Sequence, residues 1–187
     1  IIYDNSDVLS ACRCWYNFIY YGHNAKYVSV LDGGLGKWKK ERKPTSKEKV
    51  NFKKTKYEAV ENRNMVKNKY DIDLNINTNE FLVLDARSEE RFFGKVSDPR
   101  KNVRSGSIPN SHSLPFTNII RSDKTFKNIN EIKQIFNQIN PDNNKMLVFS
   151  CGSGVSACIL ALAYSLVDNK YVPTIYDGSW AEYGKIE

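Results

Sequence analysis

The sequence predicts an α/β fold: a largely parallel sheet with helices on both faces. Three observations lead there. Short apolar runs alternate with stretches of helical period along the chain. The apolar run Met146-Leu147-Val148-Phe149 and the apolar stretch Val155 to Val167 flank a glycine-rich loop, Cys151-Gly152-Ser153-Gly154-Val155-Ser156, in the order strand, loop, helix. The chain also repeats part of itself.

In chain order, Ile1-Ile2-Tyr3-Asp4 reads as a strand and Ala11 to Tyr21 as a helix. Residues 45–56 are Lys-rich and polar and read as an exposed linker. Phe81-Leu82-Val83-Leu84-Asp85 is a buried strand, and Ser88 to Phe93 a short helix with Ser88 at its N-cap. A polar loop runs from Gly94 to Ser107, and Ser113 to Phe116 is a short strand restricted by Pro115. Ile129, Ile132, Ile135, Phe136 and Ile139 recur at helical spacing. The Met146 strand, the Cys151 loop and its helix follow, and Thr174-Ile175-Tyr176 is a further strand.

A chain of 187 residues can bury a proper core. Its longest apolar stretch is too short to span a bilayer. The net charge of +7 comes from lysines dispersed through polar segments without interleaved aromatics, a pattern of solvated surface that attracts small anions and not one of nucleic-acid binding. The four cysteines, Cys12, Cys14, Cys151 and Cys158, lack the spacing of zinc ligands. Asn is abundant but forms no N-x-S/T sequon, which points to a reducing intracellular compartment. The chain opens without an initiator Met or a targeting segment, so residues are expected to precede Ile1.

The Cys151 loop carries the strongest chemical signal. Two glycines let the backbone curl and turn its N–H groups inward, and the positive end of a helix faces the sulfur. Both favour an anion at that position. Cys158 lies on the apolar side of the following helix and is expected to be inert core.

The repeat sets Ile2 to Cys12 beside Val148 to Cys158, with Ser-Ala-Cys recurring at an offset of 146 and Asn5 opposite Cys151. Leu31-Asp32-Gly33-Gly34 through Trp38 echoes Tyr176-Asp177-Gly178-Ser179-Trp180 at an offset of 145. The implied organisation is a tandem repeat: residues 1–44 as the last part of a first, inactive domain, the 45–56 linker, and a catalytic domain over 57–187. Lacking sheet neighbours of their own, Trp15, Phe18 and Ile19 are expected to lie exposed or pack poorly.

Asp85-Ala86-Arg87, Gly106-Ser107-Ile108-Pro109, Pro115-Phe116-Thr117, the Cys151 loop, Tyr176 to Trp180, Ser10 to Arg13 and Leu31 to Gly34 together resemble the rhodanese superfamily, and within it the tandem-domain 3-mercaptopyruvate sulfurtransferases. The resemblance implies a rhodanese-like fold and transfer of sulfur from 3-mercaptopyruvate to a thiol acceptor such as thioredoxin or glutathione, or to cyanide, through a persulfide on Cys151, with no metal or organic cofactor needed. It implies Ser153 as the catalytic hydroxyl and Gly152, Gly154, Val155 and Ser156 as substrate-binding through their amides. It maps two carboxylate-binding arginines onto Arg91 and Arg100, the planar fork being suited to that group. Arg87, beside Asp85, reads as a structural pair. Gly152 and Ser153 stand where thiosulfate-preferring relatives carry Arg and Lys, so thiosulfate:cyanide sulfurtransfer is the alternative enzyme reading, and a persulfide carrier without turnover the alternative outside catalysis. Ala157, six positions after the thiol, stands where the related phosphatases need Arg. The family's proton-relay Asp and His would lie before Ile1, and neither His23 nor His112 matches them. A cytoplasmic or mitochondrial setting is implied.

Overall fold

The computed structural model describes residues 1–7 and 9–186, so Val8 of the repeat and Glu187 of the 57–187 segment lie outside the described residues. Five strands, β1 (Val66–Lys67), β2 (Phe81–Asp85), β3 (His112–Ser113), β4 (Met146–Ser150) and β5 (Ile175–Tyr176), form one sheet in the order β1-β5-β4-β2-β3. Every pairing between them is parallel. The centre is β2 against β4, in register from Phe81 opposite Met146 to Asp85 opposite Ser150. Because the strands run the same way, the loops leaving Asp85, Ser150 and Tyr176 gather at one edge of the sheet, the place where open α/β sheets bind ligands.

The alternation within each strand divides the core in two. Leu84, Leu147 and Phe149 face the larger cluster, where α5 (Ile129–Ile139) and α6 (Ala157–Val167) supply Ile132, Phe136, Leu160 and Tyr164. Phe81, Val83, Val148 and Tyr176 face the smaller one, with Ile72 of α3 (Lys69–Thr78) and Trp180 of α7 (Ser179–Tyr183). α6 is buried on almost every side, which explains its near-continuous apolar sequence. α3 and α5 each start on a full capping box, Asn68 with Asp71 and Asn128 with Glu131.

The sequence reading holds for the α/β class and for α1 (Ala11–Tyr20), β2, α5, β4 and α6; it contains neither α2 (Gly34–Lys40) nor α3, and the structure adjusts the short elements. The Ser113 strand shrinks to His112–Ser113, followed by a 3₁₀ turn at Phe116–Asn118. The helix after the Cys151 loop begins at Ala157, two residues later than its apolar pattern suggests. Ser88 sits in the N-cap place of α4 (Glu89–Phe92) without a side-chain capping bond. At Ile1 to Asp4 the strand reduces to a single parallel bridge, Ile2 with Val30.

One expectation is overturned. α1 (Ala11–Tyr20) does not lie bare: it packs along α6, with Trp15 and Tyr16 buried in the same cluster as Cys158 and Ile159, and Ile19 against its rim. Phe18 alone of the three named side chains is exposed. The apolar face of α1 is covered by α6.

Candidate active site

The loop from Cys151 to Ser156 closes over the C-terminal end of β4 and delivers Cys151 into the protein, with the residue 1 % exposed. Its two glycines serve different ends. Gly154 has a left-handed backbone (φ +75°), which L side chains avoid, and makes the turn. Gly152 is there for space: a Cβ on it would lie 3.0 Å from Arg100 Nη2 and 3.4 Å from Arg91 Nη2. Both guanidiniums therefore rest against the backbone beside the thiol.

These two arginines come from different elements, Arg91 from α4 and Arg100 from the polar loop after it. One carboxylate joins them. Asp98, with only 1 % of its side chain exposed, accepts from Arg91 Nη2 at 2.7 Å and from Arg100 Nη1 at 3.1 Å, and also from the Arg100 backbone N–H at 3.0 Å. Burial opposes ionisation of Asp98, but bonds from Arg91 and Arg100 outweigh it and hold the carboxyl below the ordinary range. Two cations on one carboxylate leave a positive balance, and Arg91 Nε is buried without an acceptor among the described residues. A partly exposed cationic pair with spare donors is the arrangement that accepts a small carboxylate.

Ser179 sets the loop from beneath. Its Oγ accepts the N–H groups of Cys151 and Gly154, both at 3.1 Å, and donates to the Tyr176 carbonyl at 2.8 Å. It does so from a left-handed backbone (φ +50°), a strain of ~1–2 kcal/mol for a residue with a side chain, which three buried hydrogen bonds offset. The sequence shows Ser179 only as part of a repeated motif; its role depends on the packing of two loops and leaves no local signal. Above the thiol, the Ser153 N–H points at Cys151 Sγ across 3.5 Å.

The remaining sequence-predicted residues fall as follows. The Gly154 N–H is committed to Ser179, whereas those of Gly152, Val155 and Ser156 meet no acceptor among the described residues. Ser153 is exposed, and Val155 and Ser156 are half-buried. Arg87 pairs with Asp85, its Nη2 at 2.7 Å, with both side chains 2 % exposed, and bonds Gly106 O, as a structural pair should. Cys158 donates to the Gly154 carbonyl, and burial pushes its thiol well above the ordinary range; burial likewise lifts Cys12 to about 12. Both are inert at neutral pH. His23 lies against the rings of Phe18 and Tyr57, and His112 sits in an edge strand.

Residues 69–185 match the family described as Rhodanese-like domain. Over 185 residues, 98 % of this chain and 61 % of the relative, the sequence is 38 % identical to 3-mercaptopyruvate sulfurtransferase of Mus musculus. It is 33 % identical over 186 residues to thiosulfate sulfurtransferase of Rattus norvegicus, covering 98 % of this chain and 62 % of that one. The crystal structure of SseA from Escherichia coli, titled for the rhodanese fold of 3-mercaptopyruvate sulfotransferases, superposes with a TM-score of 0.78 at 30 % identity, over 95 % of this chain and 65 % of that chain. The chain thus spans about three fifths of the length of the curated relatives it matches.

Proposed function

The chain belongs to the rhodanese-like domain family, and from that premise we propose that it moves the sulfur of 3-mercaptopyruvate to a thiol acceptor through a persulfide on Cys151. The observation that carries this reading is the Arg91–Asp98–Arg100 clamp lying against Gly152, next to the sulfur. The substrate's carboxylate takes the two guanidiniums, which brings its thiol sulfur to Cys151. The Cys151 thiolate attacks that sulfur and a sulfur–sulfur bond forms. The carbon–sulfur bond breaks, its electron pair leaves with pyruvate enolate, and a proton from the site or solvent completes pyruvate. Cys151 is left as a persulfide, its outer sulfur near the amides of the loop. The thiolate of an acceptor, such as reduced thioredoxin or glutathione, takes that outer sulfur and releases the Cys151 thiolate. Ser153, exposed at the rim, is assigned the proton transfer. Relatives named for mercaptopyruvate and for thiosulfate both exist, and the neutral Gly152-Ser153 pair favours the former. We assign the chemistry to a reducing cytosolic or mitochondrial compartment, in keeping with four free cysteines.

We also read residues 1–44 as part of a first rhodanese unit. The bridge from Ile2 to Val30 repeats the pairing of Phe149 with Ile175, and the Leu35 N–H bonds Asp4 O as the Trp180 N–H bonds Cys151 O. In this reading Asp4 takes the place of Cys151, at an offset of 147, where the sequence repeat sets Asn5; the loop that follows is one residue longer, so the helices resume the offset of 146.

Intact mass tests the reaction. Exposure to 3-mercaptopyruvate should add one sulfur, about 32 Da, with release of pyruvate, and Cys151→Ser should abolish both. Retention of the added sulfur in Cys151→Ser, or its loss in a Cys12 or Cys158 variant instead, would refute the assignment.

A further inference from the structure

The Cys151 loop is braced from a second direction. Arg13, on α1, reaches across to it from 141 residues away: its Nη1 donates to the Gly154 carbonyl at 3.2 Å and forms an ion pair with Asp177, while its Nε is held by Asn17 Oδ1 at 3.0 Å. The fit is close. A Cβ on Gly154 would lie 2.8 Å from both Arg13 Nη1 and Asp177 Oδ1, so glycine at 154 admits the guanidinium as well as making the turn. The other donor to that carbonyl is the Cys158 thiol, a weak one kept protonated by burial.

We propose that Arg13 is a positioning residue for the Cys151 loop, fixing the peptide between Gly154 and Val155 so that its N–H faces the reacting sulfur's side of the loop. The peptide is planar and trans, so its carbonyl and N–H point in opposite directions. A guanidinium that draws the carbonyl toward α1 turns the Val155 N–H away from α1, where no described residue accepts from it and an anion on the sulfur can. The bond is charge-assisted, and Asp177 together with Asn17 keeps the side chain in one orientation. Part of the loop's readiness to hold an anion therefore depends on a residue of the 1–44 segment.

The inference rests on Cys151 being the sulfur carrier, so two readouts are taken on the full chain. One is steady-state pyruvate release from 3-mercaptopyruvate. The other, which needs no sulfur donor, is the rate at which iodoacetamide alkylates Cys151 at neutral pH, followed by peptide mass. Arg13→Gln keeps most of the stem and removes the charge. It should slow alkylation and lower kcat by about tenfold each, with KM within twofold of the native value because Arg91 and Arg100 are untouched. Arg13→Lys should recover both rates to within about threefold. Arg13→Met carries the same test should Arg13→Gln fail to fold. Rates within twofold of native in the neutral variants, a KM that rises in proportion as kcat falls, or an Arg13→Lys as slow as Arg13→Gln would each overturn the proposal. If the native protein forms no persulfide, the proposed reaction fails, while the alkylation ratio still decides the role of Arg13.

Discussion

Arg91 and Arg100 share Asp98 and so act as one unit, which shapes what their loss should do. Arg91→Ala or Arg100→Ala should chiefly raise KM for 3-mercaptopyruvate. Each lost charged hydrogen bond is worth ~1.5–3 kcal/mol, or roughly a ten- to hundredfold change in kcat/KM. An unchanged kcat/KM in both variants would remove them from the site. The neighbouring Gly152 makes a separate prediction. The guanidinium of Arg100 lies 3.0 Å from where a Cβ would stand, so Arg and Lys at 152 and 153 must push the clamp aside while adding the charge that a dianion needs. That double variant should lose mercaptopyruvate turnover and gain thiosulfate turnover, measured as the ratio of the two kcat/KM values; a ratio that does not move counts against the clamp. Cys151 stands out by its glycine-rich loop, whereas the two arginines follow only from the family resemblance. The reason for Gly152 cannot be read locally, because the atoms that forbid a side chain there come from residues more than fifty positions earlier.

At the scale of elements, α1 starts on a carboxylate. Asp4 Oδ2 accepts the Ala11 N–H at 2.6 Å and the Ser10 hydroxyl at 2.7 Å, so a carboxylate fills the N-terminus of α1. Partial burial works against its ionisation, but the bonds from Ser10, Ala11 and Ser6 together hold Asp4 below the ordinary carboxylate range. A depressed folded-state value means that Asp4 contributes stability above about pH 4, where it is ionised in both states, and that this is lost as pH falls through its folded value. Asp4→Ala should cost about 1 kcal/mol at pH 7, and the difference from native should shrink as pH drops below 4 in denaturant titrations. A difference that stays constant with pH would show that the carboxylate's charge is not what caps α1. The elements also mark where pattern reading stops. α5 is legible because five apolar residues recur on one face and a capping box starts it. α3 is not, because Asp71-Ile72-Asp73-Leu74-Asn75-Ile76-Asn77 alternates with a period of two and spells a strand. Its Asn68–Asp71 box and the burial of Ile72 and Asn75 decide for helix. β1, like β3 and β5, carries only two ladder residues, too few for a period to show; β3 and β5 are read from their apolar residues, and β1 is not read at all.

Across the whole molecule, the sequence divides the chain at 45–56, and packing joins what that division separates. That segment is exposed throughout, and the chain then returns to α1, where Val60 and Asn62 donate to the carbonyls of Tyr21 and Tyr20. Leu9, Cys12, Trp15 and Tyr16 share one hydrophobic cluster with Leu84, Phe149 and Ile159, and the Tyr16 hydroxyl donates to the Met65 carbonyl. Lys124 adds an ion pair to Asp7, and the Phe126 N–H bonds Asp32. Linear sequence does not reveal such joining, because the apolar face of α1 would serve equally well against a sheet of its own. Trp15, 7 % exposed, sits in this joint. Truncating a buried Trp costs ~3–5 kcal/mol, a large share of the ~5–15 kcal/mol that holds an ordinary domain. Trp15→Ala should therefore lower the stability of the entire chain, not melt α1 alone: far-UV circular dichroism and the fluorescence of Trp180, buried on the opposite face of the sheet, should lose their signals at one shared, lowered denaturant midpoint. Removal of residues 1–44 should go further, since it bares the face of α6 that α1 covers and withdraws Arg13 from the Gly154 carbonyl. Residues 45–187 alone should then expose apolar surface, bind a hydrophobic dye such as ANS and show no cooperative thermal transition. A cooperative transition within a few degrees of the full chain's would show that the second unit stands by itself and that α1 is only laid against it.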